Sequence, residues 1–250
     1  MEEDVIHSAL NEFQTISLEE MEGVKLMDRY DTKYTFHRQQ LPLILEQSAP
    51  FYRVLELHHK HIFHYNNLYF DTPQKTMYLH HHNGKQNRYK IRIREYIESG
   101  IFFLEIKFKS NTGRTRKKRL AVERMEEPLT EGTGRYIETL TPFNYRELEP
   151  VLWIKFSRIT LVHKTVPERI TIDTDLEFRK NDHTCGFPNL VITEVKQCGR
   201  SGSSDLIRIF KNQKIYPCRV SKYCIGTADM NPGIKYNRFK PKILSLQKFR

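Results

Sequence analysis

Long apolar runs are absent from the sequence. Hydrophobic residues make up 38% of its 250 residues, and no window approaches the roughly 18 consecutive apolar residues that a membrane-spanning helix needs. The opening residues, MEEDVIHSALNEF, are acidic and contain no apolar run, which argues against a signal peptide. We therefore expect a soluble, cytoplasmic protein with no stable membrane insertion.

Cysteine is scarce and scattered. The four cysteines are Cys185, Cys198, Cys218 and Cys224, and none of them belongs to a CxxC pair. Their spacing indicates neither a zinc site nor a disulfide framework. We expect four reduced thiols, as is usual in the cytosol.

Internal repeats, low-complexity tracts and linkers between domains are also missing. The sequence therefore predicts a single domain over residues 1–250. Within it, residues 1–20 are expected to form an amphipathic or loosely held leader. Residues 236–250 are expected to form a solvated basic tail or a final helix.

Basic residues are present in excess. There are 41 lysines and arginines against 30 aspartates and glutamates, which gives a formal charge of +11. Such an excess points to an anionic partner: nucleic acid, a phosphorylated small molecule or an anionic membrane. The run RTRKKR (residues 114–119) would suit nucleic acid, but no RNP, KH or helix-turn-helix pattern supports base reading. We expect no nucleic-acid partner.

Histidines occur in two runs, LHHKHIFH (residues 57–64) and LHHHN (residues 79–83). Zinc ligands stand at fixed spacings rather than in a row. These histidines are therefore predicted to lie on the surface or in loops, the second run in a hairpin or short loop.

Charged and apolar residues alternate in several segments. In NRYKIRIREY (residues 87–96), Lys90, Arg92 and Arg94 would share one face of a strand and Ile91 and Ile93 the other. The same alternation recurs in RYDTKYTF (29–36), FLEIKFK (103–109), ERITIDTDLEFRK (168–180) and LVITEVKQ (190–197). These runs predict an α+β fold that is mainly antiparallel β.

The charged faces of these strands could point outward or inward. An ordinary sandwich would turn them to water, but solvent faces are usually mixed, and rows of like charge repel each other. The alternative is a closed β-barrel of about eight strands, flanked by helices, whose charged faces line a tunnel. A basic tunnel needs a polyanion inside it, and the interleaved carboxylates suggest a divalent cation shared with that anion. We favour the barrel.

Seven motifs occur in an order that resembles a known family. They are RYDTKY (29–34), LYFDTP (68–73), HHNGKQNRYKIRIREY (81–96), FLEIKFKSNTGRTRKKR (103–119), RITIDTDLEF (169–178), ITEVK (192–196) and SKYCIG (221–226). Together they resemble the VTC domain, the catalytic domain of the vacuolar transporter chaperone polyphosphate polymerase, in a stand-alone bacterial form. That family belongs to the triphosphate tunnel metalloenzymes, and the resemblance covers roughly residues 13–230.

The resemblance implies transfer of the ATP γ-phosphate onto inorganic polyphosphate or pyrophosphate, with release of ADP and a requirement for Mn²⁺ or Mg²⁺. The implied catalytic residues are Lys33, Arg92, Arg94, Lys107 and Lys222. The expected phosphate-binding residues are Lys90, Lys118, Arg158, Arg169 and Lys196, where the motif leaves Lys117 and Lys118 ambiguous by one position. The expected metal ligands are Glu194, with Glu105 or Asp175.

Two other functions remain open at this stage. A triphosphatase of the same tunnel class would use water as the acceptor, and composition does not separate water from phosphate. A non-catalytic module that binds polyphosphate or nucleotide would need the same basic residues.

Overall fold

The computed structural model describes residues 2–23, 29–125, 127–198 and 204–250. Within these ranges the chain forms twelve strands and eight α-helices. The strands are β1 (Gln14–Ile16), β2 (Arg29–His37), β3 (Tyr52–Leu55), β4 (Ile62–Asp71), β5 (Arg88–Tyr96), β6 (Ile101–Lys109), β7 (Thr115–Val122), β8 (Glu149–His163), β9 (Glu168–Lys180), β10 (His183–Phe187), β11 (Leu190–Cys198) and β12 (Pro217–Cys218). The helices are α1 (Glu2–Asn11), α2 (Leu18–Gly23), α3 (Leu41–Ser48), α4 (Thr76–His82), α5 (Glu131–Leu140), α6 (Asp205–Asn212), α7 (Lys222–Asp229) and α8 (Lys240–Gln247).

All twelve strands belong to one sheet. Its main path runs β12-β2-β11-β9-β8-β4-β5-β6-β7, and β1, β3 and β10 attach to its sides. Every pairing is antiparallel except that of β1 with β3. The prediction of a mainly antiparallel α+β fold is confirmed. The predicted closure into a barrel of about eight strands is not, because β7 and β12 do not pair in the described part of the chain.

The sheet is nevertheless strongly curved. Lys33 of β2 donates a hydrogen bond from Nζ to the carbonyl of Val220, at 3.2 Å, and Lys90 of β5 donates one to Ser221 Oγ, at 2.8 Å. These two strands are five positions apart in the sheet, which in a flat sheet would be about 24 Å. Since both reach neighbouring residues, the sheet wraps around the start of α7.

Curvature gives the sheet an inner face, toward α7, and an outer face. Ile91 and Ile93 are fully buried on the outer face of β5, in a cluster with Leu104 and Ile106 of β6. Burial of each isoleucine side chain stabilises the folded state by roughly 1.5–3 kcal/mol. The apolar half of the alternating pattern therefore holds the outer layer, and the charged half faces inward.

Both ends of the chain pack against the sheet assembly. In the leader, Ile6 and Leu10 of α1 are buried with residues of α3. Near the other end, Ile243, Leu246 and Phe249 are buried in the hydrophobic cluster that also contains residues of α7. Of the two expectations for residues 236–250, the final helix is the one that the structure shows.

The second histidine run is helical rather than a hairpin or loop, because it forms the end of α4. His82 is buried there, and its Nε2 accepts a hydrogen bond from the backbone of Arg238 at 3.3 Å. The earlier run does hold loop residues, since His58 and His59 lie in a turn with positive φ. No described helix has the length and apolar character needed to cross a bilayer. Cys185, Cys218 and Cys224 are free thiols.

Candidate functional site

The register of β5, β6 and β7 brings basic residues together on the inner face. Lys90 stands opposite Lys107, and Lys107 stands opposite Lys117. Two residues further along β5, Arg92 stands opposite Glu105 of β6. Residues opposite each other in a sheet point to the same side. These three strands form what we call the open wing of the site.

The strands β8, β9 and β11, together with β2, form the other side, which we call the paired wall. Here Arg158 stands opposite Asp173, and Glu194 stands opposite Lys33. The register also places Lys196 opposite Arg169. Predicted site residues from separate strands, such as Lys33, Arg158 and Glu194, are therefore neighbours on one curved surface.

Asp173 is the centre of the paired wall. Its two carboxylate oxygens accept hydrogen bonds from Arg158 Nε and Nη2 at 2.6 and 2.9 Å, and it also pairs with Lys222 at the start of α7. Burial alone would raise the pKa of Asp173, but Arg158 and Lys222 hold it well below its usual range. The carboxylate fixes the positions of both cations.

Glu105 plays the same part in the open wing. It accepts hydrogen bonds from Arg92 Nε and Nη2 at 2.8 and 2.6 Å and pairs with Lys117. The hydroxyl of Tyr69 accepts a further bond from Arg92 at 2.7 Å. Although burial would raise the pKa of Glu105, the surrounding cations lower it.

The ambiguity between Lys117 and Lys118 is resolved by the register of β7. Lys118 stands opposite Ile106, which is buried in the outer cluster. Lys117 stands opposite Lys107 and contacts Glu105. The structure thus places Lys117 on the inner face, and Lys118 on the outer side.

Arg94 is buried deep in the site. Its Nε donates to Asn67 Oδ1 at 2.8 Å, and its guanidinium carbon lies 5.1 Å from the ring centre of Tyr65 and 5.8 Å from that of Phe156. The Lys222 ammonium also lies over Phe156, at 4.4 Å. Cation–π contacts of this kind favour desolvated cations and keep them oriented.

Glu194 is the carboxylate least enclosed by arginine. Its side chain is 20% exposed, and the Lys196 ammonium lies 3.7 Å from its carboxylate. Burial would raise the pKa of Glu194, but Lys196, Lys33 and Lys107 bring it well below the usual range. It is ionised at neutral pH and open to a further ligand.

Two predicted residues lie apart from this group. Asp175 has positive φ next to an irregularity in the pairing of β8 with β9, and its side chain, 44% exposed, pairs with Arg38. Arg169 reaches α2, donating from Nη2 to the carbonyl of Met21 at 2.8 Å. No group of three or more potential metal-ligating side chains occurs among the described residues.

Four lysines of the site bind their protons more weakly than an ordinary lysine does. Burial lowers the pKa of Lys90, Lys107, Lys196 and Lys222 from the usual 10.5 to about 8 in each case. Neighbouring cations add to the effect, such as Lys33 and Arg92 next to Lys90. An anion placed among them would restore their usual affinity for protons.

This arrangement suits binding of a multiply charged anion. Arginines can hold phosphate oxygens in pairs, and lysines act as point charges. Sequence reasoning missed the roles of Asp173, Lys117, Tyr69 and Asn67 as partners of these cations. The alternation of RITIDTD did place Asp173 on the charged face, whereas the two uncharged residues gave no signal.

Known structures share the arrangement of strands. A protein from Hippeastrum, described as an adenylyl cyclase candidate with a dominant triphosphatase activity, aligns with a TM-score of 0.55 at 15% identity, over 81% of this chain and 96% of that one. Adenylate cyclase candidates from Bacillus halodurans (TM-score 0.49, 14% identity, 78% and 96% covered) and Vibrio parahaemolyticus (TM-score 0.48, 12% identity, 79% and 96% covered) are also similar. The Hippeastrum alignment shows that the chain shares the fold of that protein.

The family of the chain follows from its sequence. A family model described as the VTC domain matches residues 28–231. Since this is most of the chain, the protein belongs to the VTC domain family. A search of curated proteins gives no match.

Proposed function

We propose that the protein is a polyphosphate polymerase that transfers the γ-phosphate of ATP onto inorganic polyphosphate and releases ADP. The observation that carries this proposal is the inner face itself. It gathers basic residues from β2, β5, β6, β7, β8 and β11 with the start of α7, and four of its lysines have a pKa lowered to about 8. Membership of the VTC family supports the same conclusion.

Phosphate as the acceptor fits the state of the carboxylates. A phosphate oxygen is already an anion, so transfer to it needs positioning and charge neutralisation rather than a strong general base. Asp173 and Glu105 are held in ion pairs, and their pKa values are lowered. Carboxylates in that state are weak bases for the activation of water.

The basic residues divide the work by type. Arg92, Arg94 and Arg158 would bind phosphate oxygens in pairs, while the lysines would balance the charge that shifts between donor and acceptor. Asp173 and Glu105 hold these side chains in place beforehand. Binding geometry of this kind contributes to rate because it needs no rearrangement during the reaction.

A divalent cation fits the donor set in one specific way. Mg²⁺ is usually held by one or two carboxylates together with substrate phosphates, and Glu194 is an ionised, partly exposed carboxylate of that kind. Glu105 and Asp175 are engaged by arginine and lysine partners in this structure. Glu194 would hold Mn²⁺ or Mg²⁺, which would supply positive charge to offset that of the phosphates.

Hydrolysis of a triphosphate is the second candidate. The structure from Hippeastrum that shares the fold is described as having a dominant triphosphatase activity. The same inner face could bind a short triphosphate with water as the acceptor.

Incubation of the purified protein with γ-labelled ATP and Mn²⁺ tests the proposal. Gel separation should show long labelled polymer that disappears on addition of a chelator. Labelled orthophosphate without polymer would favour the triphosphatase, and neither product would indicate a binding module. Lys222→Ala should remove the polymer, which guards against a contaminating activity.

A further inference from the structure

The open wing ends in an apolar surface on its inner face. The register places Tyr96 opposite Ile101, and Phe103 lies between Arg94 on β5 and Ala121 on β7. Ile101 is 48% exposed, and Tyr96 and Phe103 are half-buried. We call Tyr96, Ile101, Phe103 and the adjoining Arg119 side chain the mouth platform.

The platform contains flat surfaces for stacking. The rings of Tyr96 and Phe103 have centres 5.9 Å apart and are nearly perpendicular. The guanidinium carbon of Arg119 lies 4.8 Å from the centre of the Phe103 ring. Aromatic rings and guanidinium planes are the groups on which proteins stack nucleobases.

The platform adjoins the phosphate-binding residues directly. One strand repeat beyond Phe103, about 7 Å, lies Glu105 with its partners Arg92 and Lys117. A second repeat reaches Lys107, which stands opposite Lys90. A ligand that lies along β6 would therefore contact apolar surface at one end and cations at the other.

We propose that the mouth platform binds the nucleobase of the nucleoside triphosphate donor. A flat heteroaromatic ring joined to a chain of phosphates has the same order of apolar and anionic parts as this surface. Inorganic polyphosphate would leave Ile101 and Phe103 uncovered. The inference rests on the proposed function for the identity of the donor, and it adds a group that distinguishes a nucleotide from an inorganic triphosphate.

The test compares ATP with inorganic triphosphate as ligands, by titration calorimetry of the whole protein with Mg²⁺. Stacking contributes on the order of 1–3 kcal/mol per base, so Phe103→Ala should weaken ATP binding about tenfold. Binding of inorganic triphosphate should stay unchanged, which also shows that the variant is folded. Phe103→Tyr should retain ATP binding.

Phe102→Ala is the matched control. Phe102 is the adjacent residue of β6, and it packs against the outer cluster instead of the inner face. Its removal should leave the ratio of the two affinities at the wild-type value. A loss in the ratio for Phe102→Ala equal to that for Phe103→Ala would overturn the platform.

Other outcomes also separate this inference from the proposed function. Equal weakening of both ligands by Phe103→Ala, unchanged ATP binding, or no ATP binding by the wild type would each overturn the platform. A wild type that prefers ATP over inorganic triphosphate but forms no polymer contradicts the polymerase and leaves the platform standing. A wild type that forms polymer but binds ATP and inorganic triphosphate equally supports the polymerase and contradicts the platform.

Discussion

The two sides of the inner face neutralise their charges differently. In the paired wall, Arg158 and Lys222 share Asp173, whose side chain is 6% exposed. In the open wing, Lys117 is 43% exposed, and Glu105 is the carboxylate that faces both it and Arg92. Both sides are preorganised by ion pairs around a buried carboxylate, but Glu105 is shared by more cations in the wing. The wing therefore keeps the larger excess of positive charge, which an anion would neutralise.

This difference assigns separate tasks to the two sides. Cations with fixed carboxylate partners are held in one geometry, which suits stabilisation of a reacting phosphoryl group. Exposed lysines without such tight enclosure can follow a chain of phosphates that moves. We therefore expect the largest losses of activity from the more buried cations on Asp173 and Glu105, such as Lys222 and Arg92, and a smaller loss from the exposed Lys117.

The largest effect is expected where each side loses its fixed cations. Replacement of Arg92 and Arg94 together by alanine, or of Lys222 alone, should reduce polymer synthesis at least about 100-fold, as expected for loss of preorganised charge. Synthesis is measured with labelled ATP, and folding by circular dichroism. Arg135→Ala on the surface of α5, where Arg135 pairs with Glu131, is the control and should be fully active. An unaffected rate in Lys222→Ala would contradict the site.

A smaller effect is expected from the exposed lysines, and adjacent residues of β7 provide a matched pair. Lys117→Ala should lower the rate about tenfold, because an ion pair with Glu105 and one inner cation are lost. Lys118→Ala removes the same charge from the outer side, and should stay within about twofold of the wild type. The measurement is kcat/KM for ATP in both variants. Equal losses would mean that net charge alone matters, and the distinction between the faces would be wrong.

Much of this comparison could be predicted from the alternation of residues. Ile91 and Ile93 are buried outside, and the basic residues of the same strand face inward, as expected for a strand between two layers. The pattern works because side chains on a strand alternate with a period of two. Such local rules hold wherever the strand is regular.

The remaining features depend on interactions that no local pattern contains. Closure of the barrel depends on whether β7 meets β12, two strands that lie far apart in the sequence. Asp175 is turned away by positive φ beside an irregular pairing, which reverses the parity of β9 at one residue. The sequence also left open which lysine of β7 faces inward. A shift of one residue in the strand register exchanges the positions of Lys117 and Lys118.

The last expected effect concerns the pH dependence of binding. It distinguishes a site whose lysines are partly uncharged without a ligand from one whose lysines are already fully charged. Lys90, Lys107, Lys196 and Lys222 have a pKa of about 8 in the free protein, against 10.5 ordinarily. Between these values the unfolded chain binds more protons, so the free energy of unfolding of the free protein should rise with pH. The affinity for polyphosphate should instead fall as the pH rises, because polyphosphate binds the charged form of the lysines.

For each lysine that polyphosphate returns to its usual pKa, affinity for long-chain polyphosphate should therefore fall about tenfold between about pH 7 and about pH 9, with proton uptake on binding near pH 8. Long chains are chosen because their internal phosphates are already fully ionised. Calorimetry in buffers of different ionisation enthalpy measures both quantities. Lys107→Arg keeps its charge across this range and should flatten the dependence. Constant affinity without proton uptake would mean that the lysines are already charged, and that the inner face needs no anion to become so.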